Sequence, residues 1–95
     1  MKLFVLTRKD LLPEQRAVQS GHALAEFLLQ YKTKWDNGTL IYLGVENEEE
    51  LKKWIFKLDK KDIRYSVFRE PDIDNQITSI ATDHQSKIFS KLKLL

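Results

Sequence analysis

Four polar residues recur at helical spacing in the first third of the chain, and together they could do chemistry. They are Gln15, Gln19, His22 and Glu26. Gln19 and His22 lie one helical turn apart, so both side chains could touch the same ligand. Histidine is a common general base near neutral pH, which makes His22 a candidate for that role. The alternative is an ordinary solvated stripe opposite a packed face.

An acidic loop at residues 69–75 is the second candidate. It holds the carboxylates Glu70, Asp72 and Asp74 directly after a predicted strand. Loops at strand ends of α/β sheets often carry function, although a plain acidic turn is the alternative.

Length and composition limit the kinds of fold and functional site that these residues can belong to. The 95 residues predict one domain, 1–95, and 42% hydrophobic with 32% charged residues is typical of a globular protein. The absence of cysteine excludes disulfides, thiolate zinc sites and a cysteine nucleophile. No P-loop, GxGxxG, HExxH or GxSxG motif occurs, and nothing arranges carboxylates into a metal site, so we expect no metal.

No apolar run is long enough to cross a membrane, and the first ten residues predict a strand and not a signal peptide. We therefore expect no membrane partner and a cytoplasmic location.

Charge is distributed unevenly along the chain. Residues 1–34 hold six basic and three acidic groups (net +3), residues 35–59 three and six (−3), and residues 60–95 seven and five (+2). A polyanion would meet the two ends and avoid the middle. Lys87, Lys91 and Lys93 could contact phosphate, or face solvent.

The elements that must position these residues follow from apolar patterns. Continuous apolar runs predict strands at 3–6 and 39–45, and shorter patterns predict strands at 63–69 and 77–81. A helix follows Pro13, a second follows an Asn47 cap, and a third follows an Asp83 cap with Ile88, Phe89 and Leu92 facing inward.

The first helix is predicted to face the sheet with one apolar stripe. Its members are Ala17, Gly21, Leu24, Leu28 and Tyr31, and Gly21 suggests close packing there.

The predicted fold is α/β, a mixed four-stranded sheet with helices on both faces in the order β-α-β-α-β-β-α. Alternating helices and buried strands require crossover connections, whereas the short loop between the last two strands makes them antiparallel if they are neighbours.

Several segments, in order along nearly the whole chain, resemble the peptidyl-tRNA hydrolase 2 family. These segments are Val5-Leu6-Thr7-Arg8-Lys9-Asp10-Leu11, Ala17-Val18-Gln19-Ser20-Gly21-His22-Ala23, Trp35 with Gly38, Glu48-Glu49-Glu50-Leu51, Thr78-Ser79-Ile80-Ala81 and Lys91-Leu92-Lys93-Leu94-Leu95.

The resemblance implies hydrolysis of the ester between a peptide and tRNA, without a metal or organic cofactor. It implies the same mixed sheet. Gln19, His22, Arg8 and Asp10 match family positions directly, Thr78 aligns with a threonine of the last strand, and Glu70 aligns with an aspartate after the third strand.

Two segments differ from the family. A glycine- and lysine-rich turn with an activity-linked lysine is replaced by residues 12–16, where Gln15 stands at the lysine position beside Arg16. The acidic loop that contains Asp72 is shorter than the family's loop and differs in sequence. Both changes remove positive charge or shape from the region where phosphate and ester would lie, and loss of a cation there can cost about 10² or more in rate.

The leading hypothesis is an aminoacyl- or peptidyl-tRNA ester hydrolase. His22 or Glu70 would direct water, Thr78 and Gln19 would orient substrate or stabilise charge, and Arg8 and Arg16 would contact phosphate or the oxyanion. Asp10, Gln15 and Asp72 complete the expected substrate-binding set.

Three alternatives remain open. One is an RNA- or protein-binding module without catalysis, and another is hydrolysis of a different small ester or amide whose cationic group is selected by the acidic loop. The third concerns assembly, since a homodimer could cover the polar stripe of the first helix.

Overall fold

The computed structural model describes residues 1–85 and 87–95. Its strands and helices lie at β1 Lys2–Arg8, α1 Pro13–Gln30, β2 Thr39–Val45, α2 Glu48–Lys60, β3 Ser66–Glu70 and β4 Gln76–Thr82, with a short 3-10 turn at Pro71–Ile73. None of the helices in this part of the chain is long and apolar enough to cross a membrane.

The sheet is mixed and has the strand order β2-β1-β4-β3. β1 runs parallel to β2 and antiparallel to β4, and β3 pairs antiparallel with β4. α1 packs on one face, mainly against β3 and β4, and α2 packs on the other against β4 and β1. The predicted mixed sheet, with helices on both faces, is confirmed.

The central strand β1 shows why its apolar run is continuous. Leu3 and Val5 join the apolar cluster beneath α1, whereas Phe4 and Leu6 join the cluster beneath α2. A strand covered on both faces favours apolar side chains at successive positions, as residues 3–6 show.

The start of α2 follows its local sequence closely. The Asn47 side chain accepts a hydrogen bond from the Glu50 backbone N–H at 3.1 Å, as predicted for an N-cap. At the other end, the Ile63 N–H donates to the Leu58 carbonyl at 3.0 Å. Because Ile63 still belongs to the helix end, β3 begins at Ser66 and not at Ile63 as predicted.

The predicted third helix is wrong. Residues 87–92 form a series of turns and not a helix. The last three residues lie along the edge of β2, where Leu94 forms an antiparallel bridge with Leu43. Asp83 does not cap a helix, because it binds Arg64 instead. Ser86, which the predicted helix included, lies outside the described residues. The three residues predicted to face inward nevertheless pack on the core. Phe89 is 3% exposed and packs between Phe4 and Trp54, and Ile88 and Leu92 are partly buried against the same cluster.

The predicted sheet-facing stripe of α1 is wrong for three of its five members, whereas Leu24 and Tyr31 do pack on the apolar cluster beneath the helix. Ala17 and Leu28 are exposed, and a Cβ at Gly21 would meet nothing within 4 Å, so no close packing occurs there. The buried positions of the helix are instead Gln19, Ser20, Ala23 and Phe27. The physical reason is that β1 and β4 present hydroxyl groups beneath the first half of α1, which polar helix residues can satisfy by hydrogen bonding.

Candidate functional site

A cleft of about 310 Å³ opens between the start of α1 and the turn that joins β3 to β4. We call it the α1 cleft. Its polar lining consists of Glu14, Gln15, Gln19, Glu70, Asp72 and Thr78. Its apolar walls are Leu11, Val18 and Ile73.

Three of the polar side chains form a hydrogen-bonded chain. Thr78 Oγ1 lies 2.6 Å from Gln19 Oε1, and Gln19 Nε2 lies 3.1 Å from Glu70 Oε1. Thr78 is fully buried and Gln19 is 5% exposed, whereas Glu70 is partly open to solvent. The chain therefore leads from the protein interior to a carboxylate at the cleft.

A β-bulge in the sheet brings Thr78 into this chain. Phe68 of β3 pairs with Ser79, but the next residue, Arg69, pairs with Ile77, which leaves Thr78 as the extra residue of β4. Side chains of a regular strand alternate between faces, and a bulge breaks that alternation. Thr78 and Ser79 can therefore both face α1, where each makes a hydrogen bond.

The direction of the hydrogen bonds follows from the carboxylate. An ionised Glu70 can only accept, so the Gln19 amide must present its NH2 group to Glu70 and its oxygen to Thr78. Thr78 must then donate its single hydroxyl hydrogen to Gln19. Because an amide NH2 carries two hydrogens, Gln19 keeps a second donor beside Glu70.

The predicted cation Arg8 does not line the cleft. Its guanidinium forms a two-bond pair with Asp10, with both N···O distances at 2.9 Å, and Nη1 donates to Gln76 and to the Ile77 carbonyl. The hydrogen bonds from Arg8 hold the pKa of Asp10 below its usual value. Arg8 is only 8% exposed, and its bonds to Gln76 and Ile77 tie β1 to β4 within the sheet.

The Arg16 guanidinium is likewise occupied, by hydrogen bonds to backbone carbonyls. Its Nε donates to the Leu11 carbonyl at 2.8 Å, and its Nη2 donates to the Lys9 carbonyl. These bonds fasten the connection between β1 and α1, and Arg16 does not line the cleft.

His22 lies one turn after Gln19 but outside the cleft lining. Its ring is stacked on Phe68, with centroids 4.2 Å apart and planes 5° apart. The four polar residues of α1 do not form one stripe, because Gln19 faces the sheet while Gln15, His22 and Glu26 are exposed. The alternative of a solvated stripe therefore holds for those three residues and not for Gln19.

Of the predicted site residues, the structure thus brings together Gln15, Gln19, Glu70, Asp72 and Thr78, and leaves His22, Arg8, Asp10 and Arg16 outside. Sequence inspection missed Glu14 and the apolar walls. The first-turn position of Glu14, next to the expected site on the same helix, was the signal that could have identified it. Within residues 1–85 and 87–95, no cluster of His, Asp or Glu has a geometry that could hold a metal ion.

Fold and site define an α/β domain with a cleft at the bulged end of its sheet. No protein-family model matches the chain, and no curated protein does. A solved structure of a protein of unknown function from Agrobacterium tumefaciens is similar, with a TM-score of 0.73, 18% sequence identity, and coverage of 99% of this chain and 96% of that one. At this level of identity the similarity establishes the fold alone.

Proposed function

We propose that the chain hydrolyses the ester that joins a peptidyl or aminoacyl group to tRNA. The observation that supports this proposal best is the hydrogen-bonded Thr78–Gln19–Glu70 chain, which ends in a carboxylate at the α1 cleft. A fixed carboxylate can act as general base towards water, and an amide donor beside it can stabilise the developing oxyanion, which are two functions used in hydrolytic acyl transfer.

In the proposed step, Glu70 accepts a proton from water as the water oxygen attacks the ester carbonyl. The second N–H of Gln19 donates to the carbonyl oxygen as negative charge develops there. The C–O bond to the ribose then breaks, and the proton held by Glu70 passes to the departing ribose oxygen. The products are a free carboxylic acid and tRNA with a free terminal hydroxyl.

Thr78 acts as a positioning residue in this scheme. Since its hydrogen is committed to Gln19 Oε1 at 2.6 Å, it cannot also donate to an oxyanion. It fixes the amide so that the NH2 group points to Glu70 and the cleft. Glu70 is preferred to His22 as the base because Glu70 lines the cleft and His22 does not.

The tRNA part of the proposal depends on the resemblance of residues 5–11, 17–23 and 78–81 to the peptidyl-tRNA hydrolase 2 family. A cytoplasmic location belongs to the same proposal, as the compartment in which the substrate is made.

A second candidate is an RNA- or protein-binding module without catalysis, and one observation favours the absence of catalysis. Arg8 and Arg16, the cations expected to contact phosphate or oxyanion, are bound to Asp10 and to backbone carbonyls. Binding of tRNA through several phosphates would weaken steeply with rising salt, whereas binding of a protein need not.

The deciding experiment measures release of tRNA from a labelled dipeptidyl-tRNA by the purified chain. We expect turnover by the natural sequence and a loss of about 10²-fold or more in Glu70→Gln, as for removal of a general base. Glu49→Gln makes the same chemical change on α2, across the sheet, and should stay within about twofold.

His22→Ala provides the second arm of this experiment. A loss as large as that of Glu70→Gln would move the base from Glu70 to His22. No release by the natural sequence, from protein with an intact far-ultraviolet circular dichroism spectrum, would favour the binding module.

A further inference from the structure

The side of α1 that faces solvent carries an apolar stripe. Its members follow one another at spacings of three, four and three residues, which places them on one side of a helix: Val18, Gly21, Ala25 and Leu28. Val18 is 57% and Leu28 is 44% exposed, and Ala25 is exposed as well. The opposite side of the helix, which includes Phe27, is buried against the sheet. The fold therefore covers only one of the two apolar sides of α1.

The outward side of α2 has a different composition. It exposes Glu49, Lys52 and Lys53, with Lys52 paired to Glu49 and Lys53 paired to Glu50, and Phe56 is exposed among these charges. A helix that is apolar on both sides is normally covered on both sides, whereas a helix with one charged side faces water. By this comparison, the α1 stripe has the composition of an interface and the outer side of α2 does not.

Gly21 has no structural reason within a single chain. Glycine in the interior of a helix destabilises the helix relative to alanine. A Cβ at Gly21 would meet nothing within 4 Å, and the residue does not have a positive φ, so neither packing nor backbone conformation requires glycine there. A second helix that crossed α1 closely at this point would require a small residue, because the distance between helix axes depends on the side chains at the contact.

The two ends of the stripe carry opposite charge. Continued at the same spacing, the stripe begins at Glu14 in the first turn of α1 and reaches Lys32, two residues after the helix ends at Gln30. Both charged residues are exposed, and neither forms an ion pair with another described residue. A parallel pair of these helices would bring like charges together. An antiparallel pair would place each Glu14 beside Lys32 of the partner subunit.

The apolar residues of the stripe fit the same antiparallel arrangement. With Glu14 level with Lys32 of the partner subunit, Val18 is level with the partner's Leu28, and Gly21 is level with the partner's Ala25. A twofold interface requires each such contact to occur twice, once in each direction, and these pairs satisfy that condition. The two small residues lie at the centre, where the helix axes come closest, and the larger residues lie on either side.

We infer that a second copy of this chain docks on the stripe, with the two α1 helices antiparallel in a twofold dimer. The covered surface is this apolar stripe and not the polar residues Gln15, His22 and Glu26. A single helix pair is a small interface, so we expect weak association, with a dissociation constant of about 10 µM. The inference does not depend on the proposed function.

The dimer would change the surroundings of the α1 cleft. Glu14 and Val18 belong to the stripe and also line the cleft. Lys32 of the partner subunit would therefore lie at the edge of the cleft. Among the described residues that line the cleft, none is lysine, arginine or histidine. The second copy would thus supply a basic group that the cleft of a single chain does not contain.

Sedimentation velocity of the purified chain between about 1 and 300 µM tests the association. We expect a mass near the 11.2 kDa of one chain at the lower concentration and close to twice that mass at the upper one. Ala25→Glu brings two carboxylates together near the centre of the interface and should weaken the dimer by at least about tenfold. Phe56→Glu places the same charge at an exposed apolar position on α2 and should leave the dissociation constant within about twofold.

A charge swap tests the orientation of the helices. Glu14→Lys and Lys32→Glu should each weaken association about fivefold, because each replaces two equivalent ion pairs with like charges. The double variant restores the pairs in reverse and should recover the affinity of the natural sequence. Far-ultraviolet circular dichroism checks that each variant is folded, which we expect because the substituted side chains are exposed in the single chain.

A mass of one chain at about 300 µM would overturn the inference. A dimer that Phe56→Glu disrupts and Ala25→Glu does not would also overturn it, because the interface would then lie on α2. A double charge variant that associates no better than the single variants would overturn the antiparallel pairing. If Ala25→Glu did not fold, the three charge variants would decide the result without it.

Discussion

The two faces of the sheet are built from different chemistry. Beneath α2 the buried residues form one apolar cluster, which includes Leu51, Leu58 and Ile80, and which Phe89 from the C-terminal segment completes. Beneath α1 the apolar cluster is smaller, with Phe27 at its centre, and hydroxyl and amide groups occupy the rest.

This difference separates stability from function. Apolar burial stabilises a fold without specifying any reaction, whereas buried polar groups require partners and add little net stability. A protein that places a buried glutamine beside a cleft gives up apolar contact at that position. The α2 face accordingly holds the sheet together, and the α1 face contains the candidate site.

The two ends of the α1 face differ in whether their polar groups have partners within the protein. At the far end from the cleft, Asp83 is held by Arg64 and Thr33, and the Arg64 guanidinium lies over the rings of Phe27 and Tyr31. These groups satisfy one another. At the cleft end, the chain from Thr78 stops at a partly open carboxylate, so hydrogen-bonding capacity remains for a ligand.

If the α2 face provides most of the stability, the largest loss in the free energy of unfolding should come from a substitution at Leu51. Leu51→Ala removes a fully buried side chain from the α2 cluster, and we expect a loss of about 3 kcal/mol in the free energy of unfolding. Urea denaturation measures it. Leu29→Ala, at a residue 85% exposed on α1, should change that free energy by less than about 0.5 kcal/mol.

If Leu51→Ala also abolished tRNA release per folded molecule, stability and function could not be assigned to different faces of the sheet. We expect release per folded molecule to change by less than about twofold, because α2 supplies no residue to the cleft.

A smaller effect is expected at Asp83, with a clear dependence on pH. Burial raises the pKa of Asp83, but the hydrogen bonds from Arg64 and Thr33 outweigh it and bring the pKa below its usual value. The carboxylate thus contributes stability that is fully present above its unfolded pKa of about 3.9 and is lost as the pH falls through the lower folded value.

Asp83→Asn should cost about 1–2 kcal/mol at pH 7, as for a hydrogen-bonded charged group whose partner Arg64 is partly exposed. The difference from the natural sequence should shrink as the pH falls below about 4. Asp62→Asn, an exposed carboxylate in a left-handed conformation that asparagine tolerates, serves as the control. A difference that stayed constant with pH would contradict the role of the charge.

Sequence inspection could predict the strands and α2, because their signals are local. The apolar residues of 39–45 predicted a strand, and β2 has those bounds. Asn47 caps the next helix, as predicted from Glu50 three residues later. The third helix failed because its predicted cap, Asp83, binds Arg64, nineteen residues earlier in the chain. A long-range contact of that kind leaves no trace in local periodicity.

The candidate site was predictable in part. Gln19, Glu70 and Thr78 were named from the residues and the resemblance, but their contact depends on the bulge between β3 and β4, which fixes where Thr78 points. The orientation of α1 could not be predicted either. The apolar spacing predicted Leu28 as a core residue, but Leu28 is exposed. Gln19 is buried instead, because its side chain hydrogen-bonds to Thr78 of the sheet.

The smallest effect is expected at Thr7, where three buried hydroxyls meet. Thr7 Oγ1 lies 2.7 Å from both Ser20 Oγ and Ser79 Oγ, and these serines also contact the carbonyls of Arg16 and Leu6. Three hydroxyl hydrogens thus serve four contacts, so one contact always lacks a hydrogen.

Thr7→Val removes the two shared contacts and leaves each serine with its own carbonyl acceptor. We expect the free energy of unfolding to fall by about 1 kcal/mol or less, measured by urea denaturation beside Thr39→Val at an exposed strand start. A loss of about 3 kcal/mol, equal to that of Leu51→Ala, would mean that the hydroxyls stabilise the sheet as strongly as apolar packing does. The polar face would then be a second structural core, and the reason for assigning its open end to function would be weakened.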